Sequence, residues 1–447
     1  MKNSAAAVVS SFLVLSCAFP AFAATAIYTD TDSGFKLKSQ PSWMEIGGKN
    51  FYGLANKPDK KEASLNVICA YTAKEVEEAT GQKFSTDEFL KKYTDLQVLE
   101  RNGLSPDKVN YSLFMPDPYE IKPDNKLALV PKELLDNSSI SISTNKSGKQ
   151  PYVYLHIVDK GETKTLKSLR RSVDMQIAIT SANNMLYTVV SAFPLPNLKA
   201  QKEKIEEATP FSKKKVRSEL TDENKERIDR YVASRKAFLK GLSFFAPVKD
   251  TVPYGFTDDL LGGRVRLPED WAYVQVNDDT IDEKIPVKVT LSMPWNGVSE
   301  YLNFSEETEK ALDQEDISKI SFQKIKEVAI FASSKTKEKN TFAGLFDNPI
   351  MTNLLMEKFI NEGLKHPSVK EYVDFKEINT KTDFRNNYGS IKLTGYGSVK
   401  NDYQFNINAK AMFTLESFGL VTYISKDDKN NDPESGKKFE NIKLLNN

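Results

Sequence analysis

Two cysteines and two histidines in 447 residues set the first limits on chemistry. Cys17 lies inside an N-terminal leader, so its removal leaves Cys69 alone and excludes an internal disulfide; stability must come from core packing. Cys69 sits in Leu65-Asn66-Val67-Ile68-Cys69-Ala70-Tyr71, which reads as a buried strand, where free cysteine acts as a small apolar residue. A nucleophilic or redox thiol would need a cationic, partly exposed setting. With His156 and His366 the only imidazoles, a zinc site of three or four Cys and His ligands is not readily supplied. His156 alternates with Tyr152 and Tyr154 and reads as a packed or half-exposed sheet residue rather than a general base. His366 precedes Pro367 at a helix end, where a cation near the last carbonyls is ordinary. There is no His-Glu-x-x-His, no Gly-x-Ser-x-Gly and no phosphate loop. Gly148-Lys149 and Gly436-Lys437 lack both the upstream glycine and the following Ser or Thr. The sequence therefore carries no recognisable catalytic motif and names no catalytic or cofactor-binding residue.

Excess charge of one sign is also missing. The chain has 62 basic and 61 acidic residues, and the leader contains only Lys2 among them, so the remainder is balanced. A balanced chain has no overall field to attract nucleic acid or anionic lipid, which excludes nucleic acid as an expected partner. After the leader no long apolar run follows, so no transmembrane span is expected. Carboxylates are plentiful, and a hydrolase using two spaced acids stays open as an alternative. Two acidic loops offer the oxygens that Ca²⁺ favours: Asp427-Asp428-Lys429-Asn430-Asn431-Asp432 with Glu434, and Asn277-Asp278-Asp279 with Asp282 and Glu283. Neither has the EF-hand glycine at its sixth place, and a turn with a helix cap accounts for Asp432 more simply.

What is present begins with export. Lys2 is followed by an uncharged run from Ala5 to Phe22, and Ala21-Phe22-Ala23 places small residues where signal peptidase needs them, so residues 1–23 read as a cleavable signal peptide. Val14-Leu15-Ser16-Cys17 also fits a lipobox, and lipidation of Cys17 is the competing route. The protein is expected in the periplasm, at the cell surface or secreted.

The mature chain then repeats itself. Tyr28, Gly34-Phe35-Lys36-Leu37 and Pro41-Ser42-Trp43 correspond to Tyr254, Gly263-Arg264-Val265-Arg266-Leu267 and Pro268-Glu269-Asp270-Trp271. Each opening is a glycine turn, a short alternating strand and a corner whose indole, Trp43 or Trp271, anchors a core. The ends correspond too. Gln176 to Ile179 crosses Asn183-Asn184 into Leu186 to Val190, and Phe405 to Asn408 leads through Glu416-Ser417 to Leu420 to Ile424, both as antiparallel hairpins. A closing helix follows each: Ile228, Tyr231, Val232, Phe238, Leu239 and Leu242 at helical spacing, then a shorter one from Asp432-Pro433 with Phe439 and Ile442.

Between the ends, Ser85-Thr86-Asp87-Glu88 caps a helix with Phe89, Leu90 and Tyr93. Asn348-Pro349 opens another with Met351, Leu354, Leu355, Phe359 and Ile360, whose apolar side is expected in a core. Tyr388 to Val399 reads as a glycine-bearing hairpin. The expected organisation is a first domain over 24–247, with a charged helical insertion near 194–230 that includes Lys213-Lys214-Lys215-Val216-Arg217, and a second over 248–447. The prolines of Ala246-Pro247 and Val252-Pro253 stiffen the linker.

Gly-Phe-x-Leu leading into Pro-x-x-Trp, a long middle, a hairpin and a final helix resembles the PsbP-like family. Pro268 to Trp271 keeps the family spacing, and Pro41-Ser42-Trp43 is one residue shorter. The resemblance implies an α+β chain of two tandem domains, each an antiparallel sheet sandwiched by helices. It also implies an accessory or binding subunit without a shared catalytic motif, so no functional residue is carried across. The expected function is that of an exported, non-catalytic binding or accessory protein of the cell envelope, its partner an envelope protein, a glycan or a lipid. A structural envelope component is the further alternative.

Overall fold

Alternation of apolar and polar residues dominates the chain, and the structure turns most of it into antiparallel strands. The computed structural model describes residues 27–38, 44–59, 62–102, 138–145, 150–159, 173–195, 222–249, 254–258, 263–276, 287–294, 326–336, 340–370, 373–399, 403–426, 437, 439–440 and 442–445. The leader with Cys17, Trp43, the basic run 213–217 and both acidic loops lie outside these residues.

In chain order the elements are β1 (Ile27–Asp30), β2 (Phe35–Lys38), β3 (Met44–Gly48), β4 (Phe51–Asp59), β5 (Glu62–Thr72), α1 (Ala73–Thr80), α2 (Thr86–Arg101) and β6 (Ser138–Thr144). Then come β7 (Val153–Asp159), β8 (Val173–Ala182), β9 (Met185–Pro194), α3 (Asp222–Gly241), β10 (Leu242–Phe244), β11 (Gly255–Asp258), β12 (Gly263–Arg266), β13 (Trp271–Val276) and β14 (Val287–Pro294). The last are β15 (Glu327–Lys335), α4 (Pro349–Leu364), α5 (Pro367–Lys370), β16 (Val373–Arg385), β17 (Tyr388–Val399), β18 (Tyr403–Phe413), β19 (Ser417–Lys426) and β20 (Lys443–Leu445). The class is α+β, mostly antiparallel sheet with few helices.

The chain divides into two compact units, one holding Ala23–Ser42 and Asn50–Thr251, the other Trp43–Lys49 and Val252–Asn447. In the N-terminal unit the main sheet runs β4-β5-β9-β8-β7-β6, every pair antiparallel. A small sheet runs β1-β2-β10, its third strand coming directly after α3. Asn183 and Asn184 both adopt positive φ, 53° and 59°, as a tight β8–β9 hairpin requires. Gly34 likewise takes φ 66°, where a side chain would collide with the Phe245 carbonyl. Phe35 and Leu37 of β2 are fully buried and meet Tyr187 and Phe238 in the core between small sheet, main sheet and α3. The Tyr187 hydroxyl donates to the Ser33 carbonyl at 2.8 Å, so the tyrosine's polar tip is satisfied inside that core.

In the C-terminal unit the main sheet runs β3-β13-β14-β15-β19-β18-β17-β16. The small sheet runs β11-β12-β20. From β14 to β16 this order repeats, strand for strand, that of the N-terminal unit from β4 to β6, and the small sheets repeat each other too. The Pro268 corner forms as expected: the Trp271 amide donates to the Pro268 carbonyl at 3.1 Å, and the Tyr254 hydroxyl to the Trp271 carbonyl at 2.9 Å. Trp271 is 4% exposed and lies against Tyr423, with ring centroids 6.1 Å apart. β3 adds an eighth strand, and opposite its Gly47 stands Tyr273, whose ring occupies the space that a Cβ on Gly47 would fill.

Two helix signals hold, while Leu242, expected on the first closing helix, begins β10, and Asp432-Pro433 lies outside the described residues. Ser85 caps α2, accepting from the Glu88 amide at 3.2 Å, and Asn348 caps α4, accepting from the Met351 amide at 3.2 Å with Pro349 at the first helical position. Two expectations need correction. Tyr388 to Val399 is not a hairpin but the single strand β17, since its glycines lie in register between β16 and β18 and the turn comes earlier, at Asn387 with φ 59°. Of the α4 residues expected in a core, Met351, Leu354, Leu355 and Phe359 are exposed and only Ile360 is half-buried.

Candidate functional site

Two arrangements stand out, one in each unit. In the N-terminal unit, β7 and β8 bring His156 beside Asp174, and α3 lays Arg235 across the same place. His156 Nε2 is 2.8 Å from one Asp174 oxygen, and an Arg235 Nη2 is 2.6 Å from the other. The guanidinium also reaches the Ser191 carbonyl at 3.4 Å and stacks 4.8 Å above the centroid of the Phe193 ring. Burial alone would raise the Asp174 pKa. The hydrogen bonds and charges of His156 and Arg235 outweigh it and hold the carboxylate below the usual range.

A carboxylate orienting a histidine is half of a catalytic triad. The other half is missing among the described residues, where Asp174 is the one group bonded to His156, and Arg235 occupies the second carboxylate oxygen. Through these contacts Arg235 ties α3 to the sheet.

In the C-terminal unit, α4 lies along β16, the last strand of its sheet, and polar side chains bind it there. Asn353, Glu357 and Asn361 recur every fourth residue and so share one helix face. Asn353 Oδ1 accepts from the Phe384 amide at 2.8 Å, and Glu357 accepts from the Thr382 amide at 3.4 Å. The Thr382 hydroxyl donates to the Asn353 carbonyl at 3.1 Å, and the Thr380 hydroxyl to Asn361 Oδ1 at 3.2 Å. These bonds satisfy an edge strand that would otherwise offer its backbone to another chain. Five of its apolar residues are left in solvent, Ile350 78% exposed, Met351 51%, Leu354 63%, Leu355 57% and Phe359 73%, while Met356, Ile360 and Leu364 are half-buried. No residue of α4 is buried.

The corresponding helix of the N-terminal unit, α2, also precedes the last strand of its sheet, and its side chains also bind that strand. Glu100 accepts from the Thr144 amide at 2.8 Å, and the Tyr93 hydroxyl donates to Asn145 Oδ1 at 2.8 Å. Yet α2 buries Phe89 and Leu96. Inversion of α4 is thus not a demand of the topology.

Comparison with known proteins decides nothing further. No protein-family model matches the chain, and no curated protein matches it. Among solved structures, one from Bacteroides thetaiotaomicron VPI-5482 is 12% identical over 64% of this chain and 98% of its own, with a TM-score of 0.18. An acyl-CoA thioesterase II, TesB2, from Mycobacterium marinum is 8% identical over 68% of this chain and 85% of its own, with a TM-score of 0.12. Likeness at these scores carries no argument about fold or function.

The residues singled out in the sequence are scattered rather than gathered. Trp271 is a core anchor, Cys69 is buried and in no disulfide among the described residues, and His366 is exposed between α4 and α5. Among the described residues no group of three or more His, Cys, Asp or Glu side chains is placed to hold a metal ion. No helix among them is long and apolar enough to cross a membrane. The α4 face was missed because apolar residues at helical spacing read as a core stripe. The signal that could have found it is the polar stripe Asn353, Glu357 and Asn361, since asparagine is a poor helix former unless its side chain has backbone to bind.

Proposed function

We propose that this protein is an exported, non-catalytic binding protein of the cell envelope, built from two PsbP-like sheet-and-helix units, and that it binds through the outer face of α4. One observation carries the reading: five large apolar side chains stand in solvent on a helix that Asn353 and Glu357 bond to its own sheet. Scattered exposed leucines are ordinary, but a contiguous apolar patch larger than a few hundred Å² marks an interaction site. The repeated strand order supports duplication of one unit. Export rests on the leader sequence.

The test is a photo-crosslinking amino acid at position 355 in cells that export the protein. An ultraviolet-dependent adduct, absent when the same group is placed at the exposed position 392 of β17, is expected. Equal labelling at both positions, or none at 355, would remove the binding face.

A further inference from the structure

We propose that the outer face of α4 pairs antiparallel with α4 of a second copy of this chain, forming a two-fold homodimer; this rests on the reading of α4 as the binding face. The first argument is area. Side chains the size of Ile350, Leu354, Leu355 and Phe359, each more than half bare, together with Met351 present on the order of 600 Å². Closing the patch on itself would remove about twice that from water, the lower end of the range for stable specific interfaces.

The second argument is charge. Asp347 stands just before the helix, Lys358 and Glu362 form an i, i+4 pair at 3.8 Å, and Lys365 stands just after the helix. All four are exposed, and they sum to zero. Asp347, next to the N-cap Asn348, and Lys365, at the C-cap, stand at opposite ends of the helix. An antiparallel two-fold pairing centred near Leu355 brings the Asp347 end of each copy to the Lys365 end of the other. It also sets the two helix dipoles head to tail. A parallel pairing would instead put like charges together at both ends.

The same balance argues against an anionic lipid surface as the occupant. Helices that lie in such a surface carry an excess of Lys and Arg beside their apolar side. This face has two cations and two anions. Five exposed apolar residues within three turns also suit helix-to-helix packing, in which rows of side chains four apart interdigitate.

Sedimentation velocity on the exported full-length chain, from about 1 to 100 µM, tests the pairing in the range of ordinary specific contacts. A dimer is expected. Leu354→Glu combined with Phe359→Glu should weaken it by at least about thirtyfold, as loss of a buried hot spot does, while far-UV circular dichroism stays unchanged because neither side chain packs inside. Asp347→Lys alone should weaken the dimer, and Asp347→Lys with Lys365→Asp should restore it. Leu355→Cys should give a disulfide-linked dimer, Cys69 being buried.

A chain that stays monomeric throughout overturns the inference, as does a dimer indifferent to the Leu354 and Phe359 changes. Dissociation without rescue by the charge swap overturns the antiparallel arrangement. Flotation of a monomeric chain with phosphatidylglycerol vesicles, lost in the Leu354→Glu, Phe359→Glu variant, would overturn self-pairing yet leave α4 as a binding face. Absence of both dimer and crosslinked adduct would remove the two readings together.

Discussion

At the scale of single residues, the strongest constraints come from groups that cannot find another partner. Arg235 is 7% exposed and its guanidinium depends on Asp174. Removing one member of a buried ion pair leaves the other uncompensated, which typically costs about 3–5 kcal/mol. Asp174→Ala is expected to lose stability of that order in urea denaturation at pH 7, near the low end because His156 stays half-exposed. The pH dependence follows from the same contacts. The folded pKa of Asp174 lies below its unfolded value, so its contribution is complete above the unfolded pKa, about 3.9 for an aspartate, and fades as pH falls through the folded value. The gap in unfolding free energy between wild type and Asp174→Ala should therefore be constant from pH 7 to 5 and shrink below about pH 4. A gap that widens on acidification would refute this account. Gly47 is limited in the opposite way, by having no room. A methyl group there would enter the Tyr273 ring, so Gly47→Ala should cost about 1–3 kcal/mol in the same assay, and Gly47→Ala with Tyr273→Leu appreciably less.

At the scale of elements, the boundaries were legible and one orientation was not. Ser85 and Asn348 announce their helices because a side-chain oxygen must meet an orphan amide at the first turn, and that requirement is local. Asn183-Asn184 announces the β8–β9 hairpin because both residues tolerate positive φ, which is also local. Strand β17 misled for a related reason. Gly395 and Gly397 look like turn residues, but neighbouring strands hold them in register, and such tertiary pairing leaves no trace in a short window. The orientation of α4 failed most instructively. Apolar periodicity reports that a helix has an apolar side, and only convention says that this side faces inward. Here the edge of β16 needed its backbone groups satisfied, and Asn353 and Glu357 supplied partners. Asn353→Ala is expected to lower stability by about 1–2 kcal/mol, because the Phe384 amide loses its acceptor. Hydrogen exchange should accelerate at Phe384 more than at Val421 in the sheet interior. Uniform acceleration across the sheet would mean that α4 does not cap that edge.

At the scale of the whole molecule, the repeated strand order was legible through the short opening strands and the closing hairpins β8–β9 and β18–β19, while the Pro41 to Trp43 corner lies outside the described residues. The middle was illegible because long-range pairings such as β5 with β9 and β15 with β19 join residues far apart in sequence, and nothing local specifies the partner. The placement of β3 is the clearest case. It comes early in the chain, yet its described pairing is with β13, from Ala272 opposite Gly48 to Val276 opposite Met44. A fragment of residues 252–447 would therefore leave β13 as a bare edge carrying Tyr273 and Val274, an apolar strand with unpaired backbone groups. Such a fragment should be prone to aggregate, and a peptide of residues 43–49 added in trans should restore solubility and raise its thermal midpoint. A peptide with Ile46→Pro lacks one ladder donor and clashes with strand geometry, so it should fail to rescue. If the fragment is equally soluble and stable without any peptide, β3 is a decoration of the C-terminal unit rather than part of its sheet.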